Sequence, residues 1–248
     1  NPATHDSSSP RPTPTPTPVN ITGTVFQDLD GDGIKAVNEA GISGVVVSNG
    51  LTLTVTGPTG VYTLSKEGPF VFVTVPGNYI ASGSWYRSVS GSQFDFGLKS
   101  APEKNTDNFT FIHMTDIHLD TNNLLSFKEA VEEFQKISPD FIISTGDLVN
   151  AGDTKTISEA QATEWFGAYK TAISGLTMPV YNALGNHDVA YLDCESAAGA
   201  QAGCSKNAYR SNFGPAYYSF DWGHYHCVVL DPNEIKGGSQ VFEINTAQ

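Results

Sequence analysis

Apolar and polar positions change rhythm along the chain. Between residues 20 and 100 they alternate in short runs: Ile21 to Phe26 (Ile-Thr-Gly-Thr-Val-Phe), Leu51 to Thr56, Val61 to Lys66 and Phe70 to Val75. A period of two marks a strand with one buried face. Gly57-Pro58-Thr59-Gly60 and Pro76-Gly77-Asn78 supply turns between the runs. The spacing predicts a small antiparallel all-β sandwich over residues 20–100. From Phe109 the apolar runs become continuous and helical patterns separate them. Phe109 to Met114, Phe141 to Ser144 and Val180 to Leu184 read as buried strands. Leu125, Ala130, Val131 and Phe134 give a helix over 124–137 an apolar face, and Ser138-Pro139 stops it. Ala162, Trp165, Phe166, Tyr169 and Ile173 do the same for a helix over 158–173. Tyr217 to Asp221 and Cys227 to Asp231 read as two further strands. Such alternation predicts an α/β domain with parallel strands over 109–248.

Two segments fit neither pattern. Residues 1–19 alternate proline with small residues in Pro10-Arg-Pro-Thr-Pro-Thr-Pro-Thr-Pro18, which reads as an extended polyproline-like tail or stalk. Residues 101–108 are polar and irregular and read as a linker.

Composition narrows the function classes. The net charge is −13, with only 13 basic residues and no basic cluster, so nucleic acid is not expected as a partner. An acidic chain that handles phosphate has to borrow positive charge, and bound metal ions are the ready source. No apolar run approaches a membrane span. The chain begins at Asn1 without a signal segment and reads as already processed or trimmed. The Pro/Thr stalk points to an extracellular, periplasmic or cell-surface location, with cell-surface association possible. Cys194 and Cys204 can pair in a Gly/Ala-rich loop of an exported protein, and Cys227 reads as a small buried hydrophobe.

The chemistry gathers where the three predicted parallel strands end, as it does in open α/β sheets. The first ends in Asp116 and His118, two apart and so able to face one side of a strand. A carboxylate with an imidazole suits Zn, Fe or Mn. The second ends in Gly146-Asp147, where glycine admits a close backbone and the carboxylate can bridge two ions. The third ends in Gly185-Asn186-His187-Asp188. Asn186 offers a carbonyl oxygen to a metal, His187 a proton to a leaving oxygen, and Asp188 a partner to orient that histidine. His113 reads as structural.

These three motifs in this order resemble the calcineurin-like metallophosphoesterases, and the resemblance runs through Tyr217-Tyr-Ser-Phe-Asp221 to Val228-Val-Leu-Asp231. It implies a two-sheet α/β sandwich that hydrolyses phosphomonoesters or phosphodiesters with two divalent transition metal ions, Mn, Fe or Zn. It further implies that Asp116, His118 and Asp147 hold the first ion, and Asp147 and Asn186 the second. The family adds a later histidine and a Gly-His-x-His motif. Gly223-His224-Tyr-His226 matches that motif in letters but follows His187 by only 36 residues, between two strands. We read it as a hairpin, and the chain as the N-terminal portion of the domain.

Within the first region, Asp28-Leu-Asp30-Gly-Asp32-Gly33, followed by Glu39, has calcium-loop spacing. A strand on one side and Gly41-Ile-Ser-Gly44 on the other exclude an EF-hand. The stretch resembles the calcium-binding B-type sandwich repeats of bacterial surface proteins, which implies a structural Ca²⁺ on Asp28, Asp30, Asp32 and Glu39. The expectation for the whole is an exported metal-dependent phosphoesterase acting on a phosphate ester substrate. The alternative is a surface-attached binding protein with a non-catalytic phosphoesterase-like scaffold.

Overall fold

The computed structural model describes residues 19–152, 157–190, 204–236, 239–244 and 248. The Pro/Thr stalk and the Cys194–Cys204 pairing lie outside them. Eight strands come first: β1 (Asn20–Gln27), β2 (Val46–Ser48), β3 (Leu53–Val55), β4 (Val61–Ser65), β5 (Phe70–Val73), β6 (Tyr79–Ala81), β7 (Tyr86–Ser88) and β8 (Phe96–Ser100). They form two four-stranded sheets, β4-β1-β8-β6 and β3-β2-β5-β7. Ile21, Val25 and Leu98 of the first sheet and Val47, Val71 and Val73 of the second share one core. One pairing departs from the antiparallel expectation: β1 and β8 run parallel, with Val25 opposite Phe96. The segment before β8 causes this. It runs beside β1, where Thr22 N–H donates to the Ser92 carbonyl and Phe94 N–H to that of Thr22, at 2.8 and 2.9 Å. It thereby delivers β8 in the direction of β1.

The second region alternates strand and helix: β9 (Phe111–Met114), α1 (Leu124–Ile137), β10 (Phe141–Ser144), α2 (Glu159–Ile173), β11 (Val180–Asn182) and α3 (Asn207–Phe213). β9 to β11 form a parallel sheet in the order β11-β10-β9. α1 ends because Ser138 adopts a left-handed conformation (φ 52°) while its N–H still bonds the Phe134 carbonyl, and Pro139 cannot continue the helix. α2 starts because the Ser158 side chain accepts the Gln161 N–H at 3.1 Å. Phe127, Val131, Phe166, Tyr169 and Tyr209 join the three helices in one core. Two antiparallel hairpins follow, β12 (Tyr218–Trp222) with β13 (Tyr225–Val229), and β14 (Asn233–Lys236) with β15 (Ser239–Phe242). β9 begins two residues into its apolar run, because Thr110 N–H turns to the Asp140 side chain at 2.7 Å, and β11 ends two residues before its run does, where Ala183 and Leu184 lead into the site.

The two regions are packed together. Phe70 and Phe72 of β5 share a cluster with Tyr218 and Phe220 of β12. Tyr217 donates its hydroxyl to the Gly50 carbonyl at 2.6 Å, and Asp221 N–H reaches the Val75 carbonyl at 3.0 Å. Segment 101–108 is not the loose linker expected of its polarity. Ala101 and Lys104 are both buried. Among the described residues no helix is long and apolar enough to cross a membrane.

Candidate active site

Beyond their last ladder residues, the three parallel strands continue as loops that bond to one another. Asp116 N–H meets the Gly146 carbonyl at 3.3 Å, His118 N–H that of Asp147 at 2.9 Å, and Leu119 N–H that of Leu148 at 3.0 Å. The third loop closes the set: His187 N–H donates to Asp147 Oδ1 at 2.8 Å, and Ala151 N–H to the His187 carbonyl at 2.8 Å. Glycine makes this approach possible. A Cβ on Gly185 would stand 2.1 Å from both the amide nitrogen and Oδ1 of Asp147.

The backbone here is strained. Four described residues other than glycine have φ in the left-handed region, and three are Asp116 (φ 53°), His118 (φ 48°) and Asp147 (φ 53°). Each such conformation costs about 1–2 kcal/mol. Strain of this kind persists where surroundings impose it, and it clusters at functional sites. It also corrects the expectation that Asp116 and His118 share the face of a strand. They lie past β9, and left-handed turns, not strand periodicity, bring Asp116 Oδ1 to 3.9 Å from His118 Nε2.

The side chains converge. His118 Nε2 lies 3.2 Å from Asp147 Oδ2, and the His118 ring stacks on that of His187 with centroids 4.2 Å apart. Potential ligand atoms of His118, Asp147 and His187 all lie within 4.8 Å of one another. Two imidazoles and a carboxylate so placed fit a borderline divalent transition metal. Asp116, with a side chain 68% exposed, flanks this group, and Asn186 stands beside His187 in the short 3-10 turn Asn186–Asp188.

Two supporting residues escaped the sequence reading. Asn150 Oδ1 lies 3.3 Å from His187 Nδ1. Asn123 Nδ2 donates to the carbonyls of Ile117 and His118 at 3.0 and 3.2 Å and so clamps the His118 turn. The only signal for Asn150 is a polar residue three positions after Asp147, in an otherwise apolar Leu-Val pair.

Asp188 corrects an expectation. It is fully buried, and its carboxylate serves the loop backbone: Oδ1 accepts from Val149 N–H at 3.0 Å and Oδ2 from Gly185 N–H at 2.8 Å. The 3-10 turn curls it under the loop, so it braces the backbone, while Asn150 meets His187 Nδ1. Burial pushes the Asp188 carboxyl up to about 7, against the lowering effect of the Gly185 and Val149 amides. Its folded value lies above the ordinary 3.8. The folded protein therefore keeps a proton that the unfolded chain releases, and stability falls as pH rises from about 4 to about 7. The slope from this group is at most about 1.4 kcal/mol per pH unit. In chelator-treated protein, Asp188→Asn should flatten that part of a melting-temperature profile. An unchanged slope would assign it to other groups.

The Gly223-His224-Tyr-His226 stretch lies elsewhere. Gly223 and His224 form the turn between β12 and β13. Trp222 packs on Phe141 at the start of β10, and Tyr225 on Phe109 just before β9, with centroids 4.7 and 5.3 Å apart. The turn thus sits at the opposite end of the parallel sheet from Asp147. His224 Nδ1 faces Asp107 at 2.8 Å, and His226 Nδ1 faces Asp221 at 2.6 Å. His113 Nε2 lies 2.9 Å from the Thr145 hydroxyl. Cys227 is half-buried against the aromatic cluster between the regions.

In the N-terminal loop, carboxylate oxygens of Asp28, Asp30 and Asp32 lie within 4.8 Å of one another. Asp28 also accepts the Gly31 and Gly33 amides, at 2.7 and 2.8 Å. Glu39 stands outside that triad. Its carboxylate accepts the Leu29 and Ala36 amides, each at 2.8 Å, and ties the loop to its exit.

No curated protein matched the chain. A solved purple acid phosphatase from yellow lupin (Lupinus luteus) seeds is similar at 12% identity with a TM-score of 0.32, over 75% of this chain and 39% of that one. The chain thus spans well under half the length of that phosphatase. Residues 30–113 match the model described as N terminal of Calcineurin-like phosphoesterase. Residues 109–246, more than half of the chain, match the Calcineurin-like phosphoesterase model itself. With the three strand-end motifs gathered around Asp147, this protein belongs to the calcineurin-like phosphoesterase family, and carries that family's N-terminal partner domain ahead of it.

Proposed function

We propose that the chain hydrolyses phosphomonoesters or phosphodiesters with two divalent transition metal ions, Mn, Fe or Zn, held where β9, β10 and β11 end. The observation that carries this reading is the convergence of His118, Asp147 and His187 on a strained, cross-bonded backbone. In it, Asp116, His118 and Asp147 hold one ion, and Asp147 and Asn186 the other. Such ions polarise phosphoryl oxygens and make a bound water a nucleophile near neutral pH. The chain's own residues arrange the rest. Asp147 is fixed before any ligand arrives, with Oδ1 on the His187 amide and its carbonyl on the His118 amide. Asn150 Oδ1 accepts hydrogen bonds only, so it selects the tautomer with the proton on His187 Nδ1. With Nδ1–H held by Asn150, Nε2 is the atom that faces the departing oxygen, and in the imidazolium form it carries the second proton that it hands over. Metal-loaded protein should release p-nitrophenol from its phosphate monoester or diester, and chelator-stripped protein should not. Retention of a phosphate ester without turnover would favour the binding-protein reading.

The N-terminal region is, in this reading, a β-sandwich of the calcium-binding B type. Asp28, Asp30 and Asp32 hold a structural Ca²⁺ while Glu39 braces the loop. Calcium at 100 times its dissociation constant stabilises the folded state by about 2.7 kcal/mol. Melting should therefore shift up by several degrees with Ca²⁺, and the shift should vanish in Asp30→Asn/Asp32→Asn. An identical melting point with calcium and with chelator would remove this site. Export to the cell exterior or surface belongs to the same reading. An antibody to the folded protein should label intact source cells, and labelling only after lysis would contradict it.

A further inference from the structure

Between the N-terminal sheets and the α/β region lies a cavity of about 530 Å³, within the range that holds small-molecule ligands. Its walls are aromatic: Trp85 and Tyr86 from one side, Tyr181, Phe213, Tyr218 and Phe220 from the other. The rings are already ordered against one another. Trp85 lies 4.5 Å from Tyr218 between centroids, and Tyr181 stacks on Phe220.

One residue of the lining is charged. Lys104 also lines the cavity, yet it is only 6% exposed. Its ammonium donates to the Tyr79 carbonyl at 2.5 Å and faces the Trp222 ring at 4.5 Å. An ammonium has three donors, and among the described residues no carboxylate forms an ion pair with it. Burial draws its pKa down to about 8, although the fields of Glu103 and Asp221 oppose this. The contrast with Lys206 is informative. That lysine is equally buried but meets Asp231 at 2.6 Å. A buried cation without a counter-ion costs stability, and an anion brought by a ligand would offset that cost.

We propose that this interdomain cavity binds a small molecule with a flat apolar body and one anionic group. The body lies against the aromatic walls and the anion against Lys104. The site is separate from the phosphoesterase centre and does not depend on its chemistry.

The test is fluorescence titration of the whole chain with two probes, 1-anilinonaphthalene-8-sulfonate and its uncharged counterpart N-phenyl-1-naphthylamine. The sulfonate should bind saturably, one per chain, and at least tenfold tighter than the more apolar neutral probe. Lys104→Met should remove that tenfold preference and leave the neutral probe unchanged. Ile80 also lines the cavity and is 41% exposed, so Ile80→Trp narrows it with little demand on folding. This variant should weaken both probes at least tenfold, and it keeps the test decisive if Lys104→Met does not fold. Equal affinity of the two probes for the unaltered chain would overturn the proposal. So would unchanged binding in Ile80→Trp, which would place the probe on another apolar surface.

Discussion

Asp147→Asn should lower hydrolysis of a phosphate ester by at least about 1,000-fold, equivalent to about 4 kcal/mol of transition-state stabilisation. Asp147 is the residue on which the site converges. Its Oδ2 faces His118 Nε2 at 3.2 Å, its Oδ1 holds the His187 amide at 2.8 Å, and its carbonyl holds the His118 amide. Asparagine keeps the shape and the main-chain bonds but removes the charge that a divalent ion requires. The fold should therefore survive while activity goes. Steady-state rates with saturating Mn²⁺, alongside a melting curve, separate the two. A folded variant with wild-type turnover would show that the ester is cleaved elsewhere.

The second large effect is structural. Gly185→Ala places a Cβ 2.1 Å from Asp147 N and Oδ1 and 2.9 Å from its Cα. Two of these atoms are backbone, held by the cross-loop bonds, and cannot swing aside as a flexible side chain would. The loops must separate, breaking the His187–Asp147 contact that aligns the second and third motifs. We expect a loss of about 3 kcal/mol or more. For a chain of this size that is roughly 6–12 °C in melting temperature. Gly167→Ala is the control. Gly167 lies inside α2, and a Cβ there meets nothing within 4 Å. That substitution should stabilise by up to about 1 kcal/mol, since alanine is the better helix former. Equal effects of the two would mean that close loop contact at Gly185 does not matter.

Much of the α/β region was legible because its signals are local. The apolar runs at 109–114, 141–144 and 180–184 each contain a strand of the parallel sheet, and His118, Asp147 and His187 beyond their ends meet. Helix α1 stops at Ser138-Pro139 for the reason the sequence suggests. The remainder depends on how separate segments approach, which no local pattern encodes. Asp116, His118 and Asp147 take left-handed conformations that their residue types do not require. Asp188 sits in a motif that suggests catalysis, yet the 3-10 turn directs it to the Val149 and Gly185 amides. Asn150 and Asn123 act through hydrogen bonds formed only once the loops are in place. In the N-terminal region, alternation marked four of the eight strands, β1, β3, β4 and β5, but not the other four, which are short or irregular in pattern, nor the parallel pairing of β1 with β8. The polarity of 101–108 concealed the burial of Lys104.

The most direct measurement is the transition-metal content of the purified chain and of Asp147→Asn, by elemental analysis after dialysis against Mn²⁺ or Zn²⁺ with calcium counted separately. Two transition ions per chain are expected in the unaltered protein, and their loss in the folded variant. A folded unaltered chain without transition metal, or the same metal content in Asp147→Asn, would contradict it.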